Sequence, residues 1–219
     1  MGTFYGNVLV ARPLDEVVTL LAGAGGPEGT ADSAVRGYAL PVGPGHTVIY
    51  PDPETAATAL AGPLSRLLGA PALGTYVFDS DVLLMTVYTD GEPTHHYDSW
   101  PGYFDETEED GEFPVPVGAD PDAFVPLAFG PVDRSALRSV LLGIPPDPGD
   151  GEDGRYVFAN TQHYDAMTSL GLNACRLSTG YHYLSLGGLP HETSAEELVL
   201  LGGRMWPAEA EAEETAGLG

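Results

Sequence analysis

Three strand-forming segments joined by very short turns constrain the fold of this chain more than any other feature. The segments LGTYVFDS (73–80) and VLLMTVYT (82–89) meet at Ser80-Asp81, and Asp90-Gly91 forms a hairpin turn into PTHHYDS (93–99). Strands joined this tightly pair antiparallel, because a parallel connection requires about a dozen residues or more. The sequence therefore predicts an antiparallel sheet built around these hairpins.

Further strands and helices are predicted on both sides of the hairpins. Strands are expected at residues 3–11, 34–41, 46–50 and 180–184. Helices are expected from residue 13, over 52–69, 133–142 and 157–170, and after residue 194. Pro63 lies inside the second of these helices, so we expect a kink or a break there.

This order of elements indicates an α+β fold: a mostly antiparallel sheet with helices on one face, plus a smaller helical C-terminal part. We expect four regions along the chain. They are a sheet domain at 1–104, an acidic proline-rich loop at 105–132, a mainly helical part at 133–206 and a flexible tail at 207–219.

The charge of the chain excludes several classes of function. Among 219 residues, 32 are acidic and eight are basic, which gives a net charge of −24. All eight basic residues are arginines, so chemistry that needs a lysine, such as Schiff-base formation, is excluded. The negative charge repels phosphate backbones, so we expect no nucleic-acid partner. Residues 79–154 hold 18 of the acids and only two arginines, a net charge of −16.

The remaining composition indicates a cytoplasmic protein without a membrane partner. No apolar stretch approaches the roughly 18 residues of a membrane span, and the first residues lack the basic region of a signal peptide. Cys175 is the single cysteine, so no disulfide can form within the chain. It could act as a nucleophile with His163 or His182, but a lone cysteine is more often a small buried apolar residue. We expect no cofactor.

The segment THHYDSWPGYF (94–104) is the densest group of polar and aromatic residues. Neighbouring side chains on a strand point to opposite faces, so of its histidines only His96 shares a face with Asp98. These two residues could ligate a metal ion if other histidines joined them. The additional ligands would come from His46, His163, His182 or His191. The alternative is an edge strand with surface histidines.

A longer segment that includes this one resembles part of a known protein family. Residues 78–104 (FDSDVLLMTVYTDGEPTHHYDSWPGYF) are similar to an uncharacterised, actinobacterial-type family, in which an Asp-x-Asp-Val-Leu hairpin leads to a Ser-x-Pro-Gly-Tyr-Phe corner. Residues 180–190 (GYHYLSLGGLP) resemble a second element of that family. The resemblance implies a structural unit and no established activity. Its marked positions are Asp79, Asp81, Asp98, Pro101 and Tyr103.

Two functional hypotheses from different classes follow. The first is a non-enzymatic interaction protein, immunity-type or regulatory, that binds a basic protein partner through aromatic residues surrounded by carboxylates. Its partner-binding residues would be Tyr97, Asp98, Trp100, Tyr103 and Phe104. The second is a metal-assisted or acid/base hydrolase that uses His96 and Asp98. It also remains open whether the acidity serves a partner or only solubility.

Overall fold

A seven-stranded antiparallel sheet forms the centre of the molecule. The computed structural model describes residues 2–24, 35–105 and 114–202. The strands of this sheet are β1 (Tyr5–Val10), β2 (Gly37–Gly43), β3 (His46–Pro51), β4 (Ala72–Phe78), β5 (Val82–Thr89), β6 (Glu92–Asp98) and β9 (Val199–Leu201). The strand order is β6-β5-β4-β1-β3-β2-β9, and every neighbouring pair is antiparallel. A separate hairpin pairs β7 (Gly151–Glu152) with β8 (Arg155–Tyr156).

Helices cover both faces of this sheet, whereas the sequence predicted them on one face only. They are α1 (Leu14–Ala24), α2 (Ala57–Leu68), α3 (Arg134–Leu141), α4 (Ala159–Ser169), α5 (Ala174–Leu177) and α6 (Tyr181–Ser185). Short 3-10 turns lie at Glu54–Ala56, Pro121–Ala123, Val125–Leu127, Pro148–Asp150 and Ala195–Glu197. The α+β class and the antiparallel sheet predicted from the sequence are confirmed. None of the described helices is both long and apolar enough to cross a bilayer.

Strand alternation divides the apolar residues into two cores. Val8 and Val10 of β1 point to one face, where they pack with Ala61 and Leu64 of α2. Leu9 points to the other face, where the core contains residues from the hairpins and from α3 to α6. Residues from the predicted sheet domain and from the predicted C-terminal part therefore share this second core. The predicted tail at 207–219 lies outside the described residues.

Turn chemistry sets the register of the two hairpins. Asp90 and Gly91 have φ angles of 52° and 86°, the left-handed backbone that a two-residue hairpin turn requires. The first turn is centred on Asp79-Ser80, one position earlier than predicted, with φ angles of 51° and 63°. Strands β4 and β5 then pair regularly, whereas the pairing of β5 with β6 shifts register once, between Val87 and Tyr88. Strand β6 forms one edge of the sheet, as expected.

Three local predictions differ from the structure. Residues 181–185 form helix α6 where a strand was predicted. After Ser194 the chain forms one 3-10 turn and then β9, where a helix was predicted. Helix α2 continues through Pro63 without a break. Because Pro63 has no amide hydrogen to donate, the helix there depends on its packing against β1, β4 and β5.

Candidate functional site

Tyr97, one of the predicted partner-binding residues, lies in the core and not on the surface. Its side chain is 0% exposed and packs beneath helices α3 and α4. The hydroxyl donates to the Leu141 carbonyl at 2.8 Å and accepts from the Gln162 amide at 2.8 Å. The prediction of a partner contact at Tyr97 is therefore wrong. The residue follows strand alternation and pairs with buried Met85.

Five other aromatic rings form a cluster at the end of β4, and we call it the aromatic surface. It consists of Phe4, Phe78, Trp100, Tyr103 and Phe104. Phe78 is at its centre, with ring centroids 5.0 Å from Phe4, 5.1 Å from Phe104 and 5.9 Å from Tyr103. These edge-to-face distances are favourable for aromatic pairs. Phe4 is nevertheless 46% exposed and Phe104 is 58% exposed.

Hydrogen bonds hold the segment that carries three of these rings. The Tyr103 hydroxyl donates to Asp81 Oδ2 at 2.9 Å, and Asp98 Oδ1 accepts from the Trp100 amide at 2.8 Å. Ser99 Oγ accepts from the Leu83 amide. The hydrogen bond to Asp81 raises the pKa of Tyr103, because the ionised phenol has no hydrogen to donate; charge on Asp81 and Asp79 adds to this. The rings are thus positioned by the aspartates that the sequence singled out.

The Asp79-Ser80 turn connects this surface to two distant parts of the chain. Ser80 Oγ accepts from the Thr3 amide at 2.7 Å, and the Ser80 amide donates to the Thr3 carbonyl at 2.9 Å. The Ser80 carbonyl accepts from the Ala159 amide at the start of α4 at 2.7 Å. The turn therefore fixes the chain next to Phe4 and the first turn of α4.

A pocket of about 200 Å³ opens beside the aromatic surface, and we call it the acidic pocket. Its lining comes from the β4–β5 turn, the end of β6, the segment around residue 115, the end of α3, the β7–β8 hairpin and the start of α4. The polar and aromatic lining residues are Asp81, Ser99, Trp100, Glu152, Asp153, Arg155, Tyr156 and Gln162. Trp100 and Asp81 belong to both features, so the pocket and the aromatic surface are continuous.

Gln162 is the most deeply buried polar residue of this pocket. It is 3% exposed, and its Nε2 donates to the Tyr97 hydroxyl and to the Val140 carbonyl, both at 2.8 Å. Both amide hydrogens are used, and no hydrogen bond from a described residue reaches its Oε1. The buried hydrogen-bond network around Tyr97 therefore supports one side of the acidic pocket.

The histidines do not converge in the part of the chain that the structure describes. The His96 ring bonds Thr86 Oγ1 at 3.0 Å, and His95 Nε2 lies 2.7 Å from the Gly118 carbonyl on the other face of β6. His163 is buried against Tyr5, and His182 is exposed on α6. No group of three His, Cys, Asp or Glu side chains suited to a metal ion occurs among the described residues.

A second buried polar group lies beneath the centre of the sheet. The Tyr5 hydroxyl lies 2.8 Å from His163 Nδ1, and the Asn7 amide donates to the carbonyls of Leu177 and Thr179. Burial lowers the pKa of His163 to about 3, so the ring is neutral at physiological pH. Cys175 Sγ lies 3.9 Å from the Tyr164 hydroxyl, and among the described residues no hydrogen bond joins it to His163 or to His182.

Comparisons of the chain with protein-family models, curated proteins and solved structures gave no match in any of the three. The resemblance of residues 78–104 to a bacterial family stays a prediction. The function is inferred below from the geometry of the aromatic surface and the acidic pocket.

Sequence patterns did not predict the acidic pocket. Trp100, Asp98, Tyr103 and Phe104 were chosen because the segment is rich in aromatic and acidic residues, and the structure places all four at or beside the aromatic surface. The pocket also needs the β7–β8 hairpin and Gln162, which lie more than 45 residues further along the chain. No local spacing relates these segments, so only their packing shows the site.

Proposed function

We propose that the protein is a non-enzymatic interaction protein that binds a basic protein partner through the aromatic surface. The exposure of Phe4 and Phe104 in a cluster of mutually contacting rings carries this proposal. Burying one such side chain contributes about 1.5–3 kcal/mol, so a fold that leaves both partly in water forgoes that stabilisation. Contiguous exposed aromatics of this kind are typical of interfaces, whereas single exposed apolar residues are ordinary.

Charge around the rings indicates the chemistry of the partner. Asp79 and Asp81 lie near Tyr103, and Asp105 lies at the end of the same segment. No described arginine forms an ion pair with any of these three carboxylates. A partner with lysines or arginines around an apolar patch would complement this surface, and its association would be accelerated by the charge. An immunity-type or regulatory protein that captures a basic protein is the concrete form of the proposal.

Solubility alone is the competing explanation of the acidity, and one experiment separates the two. The immobilised protein is used to capture binding proteins from a native lysate of the source organism. Parallel captures use the Tyr103→Ala/Phe104→Ala variant and a control variant, Tyr183→Ala/Leu186→Ala, which removes exposed side chains from the α6 region. We expect the wild type and the control to retain the same basic protein, and the aromatic variant to lose most of it.

Two further measurements complete this test. Because the attraction involves exposed charges, raising the salt concentration to about 0.5 M should release the captured protein. The recovered partner is then titrated calorimetrically against the wild type and both variants. Equal binding by the wild type and by Tyr103→Ala/Phe104→Ala would contradict the proposal, as would the absence of any salt-sensitive basic protein.

A further inference from the structure

The acidic pocket and the aromatic surface form a single site on the molecule. Trp100 lines the pocket and also contacts Tyr103, with ring centroids 5.7 Å apart. Asp81 lines the pocket and also accepts the Tyr103 hydrogen bond. A partner that covers the rings of Tyr103 and Phe104 therefore also lies next to Trp100 and Asp81, which line the pocket.

The size of the pocket selects the kind of group that can enter it. Its volume of about 200 Å³ is below the roughly 300–1,000 Å³ of typical small-molecule sites. It nevertheless exceeds by far the space of about 10–15 Å³ that a single water needs on the same measure. One long side chain of a partner fits this volume better than a cofactor does.

The charge of the lining favours a cation. Three carboxylates, those of Asp81, Glu152 and Asp153, line the pocket together with one guanidinium, that of Arg155. Arg155 lies opposite Glu152 in the β7–β8 hairpin, but no described carboxylate is within ion-pair distance of it. The lining thus keeps an excess of two negative charges in a partly enclosed space, where opposite charges attract more strongly than in bulk water.

The remaining lining groups match a planar cation. Trp100 and Tyr156 supply aromatic rings on which a guanidinium can stack. The Tyr156 ring is oriented by its hydroxyl, which donates to Asp165 Oδ2 at 2.6 Å. Gln162 Oε1 and the carboxylates are acceptors, and the five hydrogens of a guanidinium can reach several of them at once. The ammonium group of a lysine has three hydrogen-bond donors and no planar face to stack on a ring, so it would make fewer of these contacts than a guanidinium does.

We propose that the acidic pocket receives one arginine side chain of the basic partner, with its guanidinium between the aromatic rings and the carboxylates. This inference rests on the proposed function, because the side chain is presented by a partner that docks on the aromatic surface. It adds a specificity site: the rings bind the apolar part of the partner, and the pocket selects an arginine next to it.

The fluorescence of Trp100 reports on this pocket directly. The chain has one other tryptophan, Trp206, so the Trp206→Phe variant leaves Trp100 as the single indole. This variant is titrated at low salt with N-acetyl-arginine amide, N-acetyl-lysine amide and N-acetyl-citrulline amide, the last being a neutral analogue of arginine with nearly the same shape. We expect saturable binding of the arginine amide with a Kd on the order of 1 mM, and weaker binding of the other two.

A pair of charge variants tests whether the pocket carboxylates are responsible. In the Trp206→Phe background, Glu152→Gln/Asp153→Asn removes two lining charges from an exposed hairpin, and should weaken arginine binding about fivefold. The matched control, Asp15→Asn/Glu196→Gln, removes two exposed carboxylates from α1 and from the turn before β9 and should leave the Kd unchanged. Equal affinity for arginine and citrulline, equal affinity for arginine and lysine, or no effect of the hairpin variant would overturn the proposal.

Failure of this inference is distinguishable from failure of the proposed function. If the captured partner binds the wild type but not Tyr103→Ala/Phe104→Ala, the aromatic surface is an interface whatever the arginine titration shows. If that partner also binds Glu152→Gln/Asp153→Asn as tightly as the wild type, the pocket does not receive its arginine. Loss of affinity in both variants supports both proposals.

Discussion

His163 is a titratable residue held in the core in its neutral form. Burial lowers its pKa to about 3, while the pKa of an unfolded histidine is about 6.5. Between these two values the unfolded chain binds a proton that the folded chain does not. The free energy of unfolding should therefore fall as the pH decreases from about 6.5 towards 3, by at most about 1.4 kcal/mol per pH unit from this residue.

Urea unfolding at pH 7 and pH 5 measures this contribution. Other groups also contribute to the pH dependence: burial lowers the pKa of His46, and burial raises the pKa of Glu54. The comparison is therefore between the wild type and His163→Gln, in which all other groups are kept. The variant should lose less stability between the two pH values than the wild type does. An identical loss in both proteins would show that His163 takes up its proton equally in the folded and unfolded states, so that folding does not lower its pKa.

Tyr97 and its neighbour His96 show how far single residues could be predicted. Strand alternation gave their opposite orientations correctly, and it placed His96 on the same side as Asp98. The alternation alone did not show which face of β6 is covered by other parts of the chain. The cover for Tyr97 comes from Leu141 and Gln162, which lie 44 and 65 residues away. Tyr97 was therefore predicted to lie at an interface, although it belongs to the core.

At the scale of elements, helix α2 packs unusually close to β4 because a glycine faces it. A Cβ placed on Gly74 would lie 2.7 Å from Thr58 Cα and 3.1 Å from the Ala57 carbonyl oxygen. Both are backbone atoms of the helix, so they cannot rotate away. Gly74→Ala should force the helix outward and lower the free energy of unfolding by about 1–3 kcal/mol, measured by urea denaturation.

Gly43 at the end of β2 provides the control for this prediction. A Cβ on Gly43 would have its nearest neighbours at 4.0 Å, an ordinary van der Waals contact. Gly43→Ala should therefore change the stability by no more than about 0.5 kcal/mol. If the two variants were equally stable, the close approach of α2 to the sheet would not be a constraint on the fold.

Elements with their own local signals were predicted well, and elements fixed by distant partners were not. The hairpins from β4 to β6 follow from turn residues next to them in the sequence. Helix α6 does not, because Tyr181 and Tyr183 favour a strand. The first turn of α6 is stabilised by Glu54, which lies 128 residues earlier in the chain. Its Oε1 accepts a hydrogen bond from the His182 amide at 2.6 Å. The sequence around α6 cannot predict this hydrogen bond, because Glu54 lies far away along the chain.

At the scale of the whole molecule, the C-terminal segment closes the fold that the N-terminal strands begin. Arg176 is 7% exposed and donates to the Pro41 carbonyl at 2.8 Å, the Glu192 carbonyl at 3.3 Å and Glu197 Oε2 at 2.6 Å. These bonds join the end of β2 to the segment that leads into β9. The sheet is therefore completed by its last strand, while the opposite edge, β6, borders the aromatic surface and the acidic pocket.

The net charge of −24 acts on this molecule as a whole. Among the described residues four ion pairs neutralise only Glu16, Glu92, Asp122 and Glu197. The unpaired carboxylates repel one another more in the folded chain than in the expanded unfolded chain. Salt weakens this repulsion, because the screening length falls from about 30 Å at 0.01 M to about 10 Å at 0.1 M. The melting temperature should therefore rise with sodium chloride.

Calorimetric melting at neutral pH between about 0.01 M and 0.5 M sodium chloride tests this expectation over the range in which screening changes most. A variant with glutamine or asparagine at the five acidic positions between 106 and 112 carries less charge and should show a smaller rise. Chloride is used because sulfate would stabilise any folded protein by exclusion from its surface. A melting temperature that is flat or decreasing with salt would mean that the carboxylates are too far apart to repel. The acidity would then also be too diffuse to attract a basic partner, which links this measurement to the proposed function.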